Sequence, residues 1–253
     1  MSAETSINDW QRSFEKEIDL LRLASTEGNA PLVTIYQEKT PQMITTEAAF
    51  SYINSTAMDI STIYEVSDVY AQLKEKLDTA IKETEADCSA IHKSMQRFKE
   101  TKSDATERVW EMFLTEEVEK QKAASNKRWD DLKCFGVEKI KKLPEVSRPD
   151  AAKIYCMGLS VCGKLASQVI NWLKDRMVRI HELPSKAGEK IAEFGQRYTG
   201  WINAAFSTVT GAFGSIFANY AAVNCVQNDQ LGGSRVVSPD RDSVSGVTLE
   251  QAK

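Results

Sequence analysis

Histidine and cysteine are scarce in this chain and lie far apart. The two histidines, His92 and His181, sit in no cluster of paired carboxylates. Metal catalysis is therefore not expected, and neither a bound metal nor a cofactor is predicted. The five cysteines, Cys88, Cys134, Cys156, Cys162 and Cys225, are odd in number and form no C-x-x-C pair. That excludes a zinc ribbon and argues against a disulfide framework. The start, MSAETSINDW, has neither the basic nor the apolar region of a secretory signal. Synthesis in the cytosol with reduced thiols is the expectation. No zinc-finger pattern or aromatic-rich sheet motif accompanies the basic residues, which are interleaved with acids, so nucleic acid is not an expected partner.

The largest absence is of charge. From Tyr198 to Asn228 no Asp, Glu, Lys, Arg or His occurs, in a chain that is 27% charged. A stripe of large apolar residues begins just upstream and runs through this stretch: Ile191, Phe194, Tyr198, Trp201, Ile202, Phe206, Val209, Phe213, Ile216, Phe217, Tyr220 and Val223. Steps of three and four place them on one helical face. Gly200, Asn203, Ser207, Thr210, Gly211 and Gly214 occupy the other. Three readings of this helix are open. It could be buried in a bundle, with its small face admitting a second helix. It could span a membrane, although its Asn, Ser and Thr residues would each need a partner in lipid. Or it could lie in a lipid surface, with Phe and Trp inserted and a weakly polar face outward.

Charge is unevenly spread elsewhere. Residues 1–125 hold 14 Lys/Arg against 23 Asp/Glu, whereas residues 126–198 hold 15 against 9. The basic section directly precedes the charge-free stretch, where Lys186, Lys190 and Arg197 are placed to meet lipid phosphates. The same excess also suits a solvated bundle surface.

The rest of the chain reads as helices. Ile7, Trp10, Phe14, Ile18 and Leu21 predict an amphipathic helix over 5–24, ended by Gly28, Asn29 and Pro31. From Thr46 onward, Val66, Tyr70, Leu73, Leu77, Ile81, Cys88, Ile91, Met95 and Phe98 form a near-heptad seam. A further helix is predicted from about Asp104, with Glu107 three residues on as a capping partner. Pro144 and Pro149 break it. The next is predicted from Pro149 to about His181, closed by Pro184, with Ile154, Val161, Leu165, Val169, Leu173, Met177 and Ile180 inward. After Val226 the composition turns polar and rich in Gly and Ser, as in a disordered tail. The expected fold is all-α: an elongated bundle of long amphipathic helices, able to oligomerise through them. Its expected sections are 1–45, 46–184, a lipid-binding 185–228 and a tail at 229–253.

Two motifs carry possible chemistry. Gly158 to Lys164 fits G-x-x-x-x-G-K, but Leu165 stands where a phosphate loop needs Ser or Thr. The preceding residues also read as helix rather than strand, so nucleotide binding is not expected. Cys88 and His92 share a helical face, yet Cys88 falls on the apolar seam, where a thiol behaves as a small hydrophobe. No catalytic residue is assigned, and the chain is not expected to be an enzyme.

The segment Ile180 to Leu183-Pro184, followed by Gly188-Glu-Lys-Ile191 and the Thr/Ala/Gly/Phe stretch 199–221, resembles perilipin-type coat proteins of lipid droplets. The resemblance spans about residues 150–225, without the family's clean 11-residue repeats. It implies binding to a phospholipid monolayer or bilayer surface, a cytosolic place on the droplet, and lipases or other droplet proteins as partners. The alternative is a cytosolic helical scaffold whose last helix is core.

Overall fold

Every regular element among the described residues is helical. The structure, a computed structural model, describes the backbone of residues 9–28 and 60–231, and side chains over 10–28 and 65–214. In chain order the helices are α1 (Asp9–Thr26), α2 (Ile60–Thr101), α3 (Glu107–Ile140), α4 (Arg148–Val178) and α5 (Leu183–Leu231). Single 3-10 turns at Glu145–Ser147 and Ile180–Glu182 precede α4 and α5. The chain is thus an all-α bundle. The tail expected over 229–253 lies outside the described residues, apart from the last helical residues of α5.

The seam read on α2 is buried from Val66 to Met95, with Phe98 half-buried at its end. Several boundaries differ from expectation. The first helix ends at Thr26, and Gly28 turns the chain with φ +75, a conformation that costs glycine no Cβ clash. The N-cap of α3 is Thr106 rather than Asp104, and its side chain makes no capping hydrogen bond. Pro149 lies inside the first turn of α4. Pro184 likewise opens α5 instead of closing α4. Proline at the start of a helix removes only an N–H that would have no helical acceptor. In both Leu-Pro pairs the leucine, Leu143 or Leu183, is buried.

The helix at the centre is α4. It packs against all four others and buries residues on every side, including Ala151, Tyr155, Cys156, Leu159, Ser160, Leu165, Ile170 and Leu173. A helix that is apolar all round has to be enclosed. Small residues let its neighbours come close. A Cβ at Gly158 would stand 2.1 Å from Leu77 Cδ1 of α2. On α3, a Cβ at Gly136 would stand 2.6 Å from Tyr155 and 2.7 Å from Phe14. Several polar atoms within this core are matched, whereas Trp172 Nε1, Asp78 Oδ1 and Arg176 Nε and Nη1 are buried without a hydrogen-bond partner among the described residues. Tyr155 donates to the Leu132 carbonyl at 3.2 Å. Trp129 Nε1 donates to Ser25 Oγ at 2.9 Å, which in turn donates to the Arg22 carbonyl at 2.8 Å.

Ion pairs fix the outer helices in register. Arg128 of α3 bridges Glu83 at 3.0 Å and Asp87 at 2.5 Å on α2. Lys133 and Arg22 join α1 to α3 through Asp19 and Asp130.

Two glycine substitutions separate close approach from simple propensity. Gly158→Val should lower the unfolding free energy by about 1–3 kcal/mol, because Leu77 has to move. Gly200→Ala should raise it by about 0.5–1 kcal/mol, since nothing lies within 4 Å of that position. Urea denaturation of both variants measures the contrast.

Candidate functional site

Antiparallel packing of α2 and α5 leaves an open groove of about 1000 Å³. Its walls follow one rhythm on both helices. His92, Gln96 and Lys99, then Ser103 just past the end of α2, face Gly188, Ala192, Gly195 and Thr199 of α5. Each set steps by four, three and four residues. The small residues of α5 admit the long side chains of α2. A Cβ at Gly188 would stand 2.5 Å from Lys99 Nζ, and one at Gly195 would stand 2.7 Å from His92 Cε1. Ile191 and Tyr198 supply apolar surface, and the His92 ring meets Tyr198 edge-on at 6.3 Å. Sequence reading weighed His92 only as a partner for Cys88, and it passed over Gln96, Lys99 and Ala192. The matched spacing was the available signal.

The residues expected to face lipid are mostly turned inward. Ile191, Phe194, Ile202, Val209 and Phe213 are buried, at 0–3% exposure. Phe194 packs 4.5 Å from Trp172 and 5.6 Å from Tyr198. Tyr198, Trp201 and Phe206 are half-buried against the same core. In this state the stripe is bundle core, because α2 and α4 offer it the nearest apolar surface. The side chains of Ile216, Phe217 and Tyr220 lie outside the described residues. The opposite face, from Gly200 through Asn203, Ser207, Thr210 and Gly211 to Gly214, is exposed throughout.

The three headgroup candidates divide. Lys190 is held by Glu193 at 3.4 Å and Glu182 at 3.8 Å. Arg197 pairs with Glu193 at 2.7 Å. Lys186 is exposed and stands at a break in the helix, with φ -117 and ψ 16.

The motifs with possible chemistry resolve as structure. The G-x-x-x-x-G-K segment lies wholly within α4, where backbone N–H groups serve the helix and no phosphate-wrapping loop forms. Cys88 is buried, and that burial pushes its thiol up to about 12; the carboxylate of Asp87 adds to the shift. A neutral, enclosed thiol is not a nucleophile. Among the described residues no group of three or more His, Cys, Asp or Glu could hold a metal ion. Among the same residues no helix is long and apolar enough to cross a membrane. Compared with known protein families, curated proteins and solved structures, the chain matches none.

The buried thiols allow a direct check of this core. Cys162 is also raised to about 12 by burial. The folded state therefore holds these protons while the unfolded state releases them near pH 9. Stability is full below pH 9 and falls as pH rises towards 12, by about 1.4 kcal/mol per pH unit for each thiol. Cys88→Ala and Cys162→Ala should each flatten the decline of melting temperature between pH 9 and 11. At pH 8, maleimide should label exposed Cys134 in the native protein, and Cys88, Cys156 and Cys162 only after unfolding.

Proposed function

We propose that this protein acts without catalysis, binding a lipid surface through α5, which parts from the bundle to do so. One observation carries the reading: the exposed face of α5 from Thr199 to Gly214 bears no charge, and neither does its buried face. Surface helices of a bundle ordinarily carry charge toward water. A helix with a large-aromatic side and a Ser/Thr/Gly side suits an interface with exposed acyl gaps. Each large side chain moved into such a layer contributes about 1.5–3 kcal/mol, against the same area given up in the bundle. Binding in this way requires the surface state to lie close in energy to the closed one. The 3-10 turn at Ile180–Glu182 and the broken helix at Lys186 offer the hinge. A phospholipid monolayer over neutral lipid, as on a cytosolic lipid droplet, is the surface this reading favours. Limiting the access of lipases would follow from occupying it.

Burial of Ile191, Phe194, Ile202, Val209 and Phe213 favours a second reading, a helical scaffold in which α5 is permanent core. Phe213→Asp would unfold the protein under either reading, so a lock is more informative than a charge. A Cβ at position 195 stands 2.7 Å from Cε1 of the His92 ring, so His92→Cys with Gly195→Cys places two thiols on facing helices, where oxidation is tested as a disulfide lock between α5 and α2. The full chain should float with triglyceride emulsions more than with liposomes. The oxidised double variant should stay in the soluble fraction, and reduction should restore flotation. A full chain that floats with neither supports the scaffold. An oxidised variant that floats undiminished removes the opening step.

A further inference from the structure

We propose that the groove between α2 and α5 binds a single-chain anionic amphiphile, a medium-chain fatty acid, while the bundle is closed. The inference concerns the closed state and does not rest on the surface-binding reading. The groove runs along α5 from Gly188 to Thr199, about 16 Å at 1.5 Å per residue, a length that an extended medium-length acyl chain spans. Its volume and its largely apolar lining are those of a small-molecule site. Ala192, Tyr198 and the His92 ring over Gly195 would take the chain along their apolar surfaces, with Ile191 buried beneath them.

The charge on one end sets the class of head group. Lys99 Nζ projects over the notch at Gly188, and among the described residues it forms no ion pair. Lys190 and Lys133, by contrast, are each held by an acid. A carboxylate entering at this end would meet the ammonium of Lys99 and the hydroxyl of Ser103. Towards the opposite end the His92 ring, packed on Tyr198, lines the floor of the open groove at Gly195, and the groove continues past it to Thr199. One acid, Glu100, stands exposed on the rim near Lys99 and opposes an anion there. A neutral chain would gain the apolar contacts alone; an ion small enough to lack a chain would gain only the head-group contact.

Calorimetric titration of the full chain with dodecanoate, dodecanol and butyrate, each below its aggregation concentration, tests the assignment. Dodecanoate should bind at one site and at least tenfold more tightly than either dodecanol or butyrate. Lys99→Gln should weaken dodecanoate about tenfold and leave dodecanol unchanged, the loss expected for one charge-assisted hydrogen bond. Glu100→Gln should tighten dodecanoate. Ala192→Trp, or Thr199→Trp if the first disturbs folding, should fill the channel and weaken both long-chain ligands at least tenfold. Circular dichroism and melting curves confirm that each variant is folded. Absent or unsaturable dodecanoate binding overturns the proposal. So does equal affinity for dodecanol, or dodecanoate binding unmoved by a folded tryptophan variant.

Discussion

Enclosing α4 is the constraint on which the bundle depends. Its middle, from Gly158 to Gly163, is apolar or small and buried around the whole circumference, so neighbours on every side are needed to remove it from water. They can come close enough only because Gly158 yields to Leu77 and Gly136 yields to Tyr155 and Phe14. Tyr155 then ties the centre of α4 to the backbone of α3, and Trp129 ties α3 to the end of α1 through Ser25. Ion pairs such as Arg128 with Glu83 and Asp87 sit outside this packing and set register more than stability.

Against that enclosed axis, α5 is the helix with two unlike faces. Its inner stripe completes the cores formed by α2 and α4. From Thr199 to Gly214 its outer face is uncharged, and it meets nothing at Gly200, Gly211 or Gly214. Glycines at such open positions add no packing and lower helix stability. The non-helical backbone at Lys186 and the short turn before it separate α5 from the rigid centre. The groove beside α2 arises from the same economy of side chains on α5: Gly188, Ala192 and Gly195 leave space that Lys99 and His92 only partly fill.

Much of the fold was legible before the structure. The seam on α2 could be read residue by residue, because a helix with one buried face writes its period directly into the sequence. The inward positions on α4, among them Leu165, Val169 and Leu173, were legible for the same reason. Ser160, Ser167 and Gly163 were not, since a small residue reads alike in a core and at a surface. The central place of α4 is therefore not legible in the sequence. Pro184 was read as an ending because proline breaks a helix from inside; its tolerance at the first turn gives the opposite meaning. The groove needed two helices side by side, although each half of its spacing was present in the chain.

The sequence by itself determined that the chain is helical, which face of each helix is apolar, and that α5 is neutral on both faces from Tyr198 to Asn228. These are local properties, carried by residue type and period. Only the tertiary structure decided that the stripe from Ile191 to Phe213 turns inward, that α4 lies at the centre, and that Lys99 faces Gly188 across a groove. Burial is a relation between elements distant in the chain. An apolar face satisfies the same pattern whether a neighbouring helix or a lipid layer covers it.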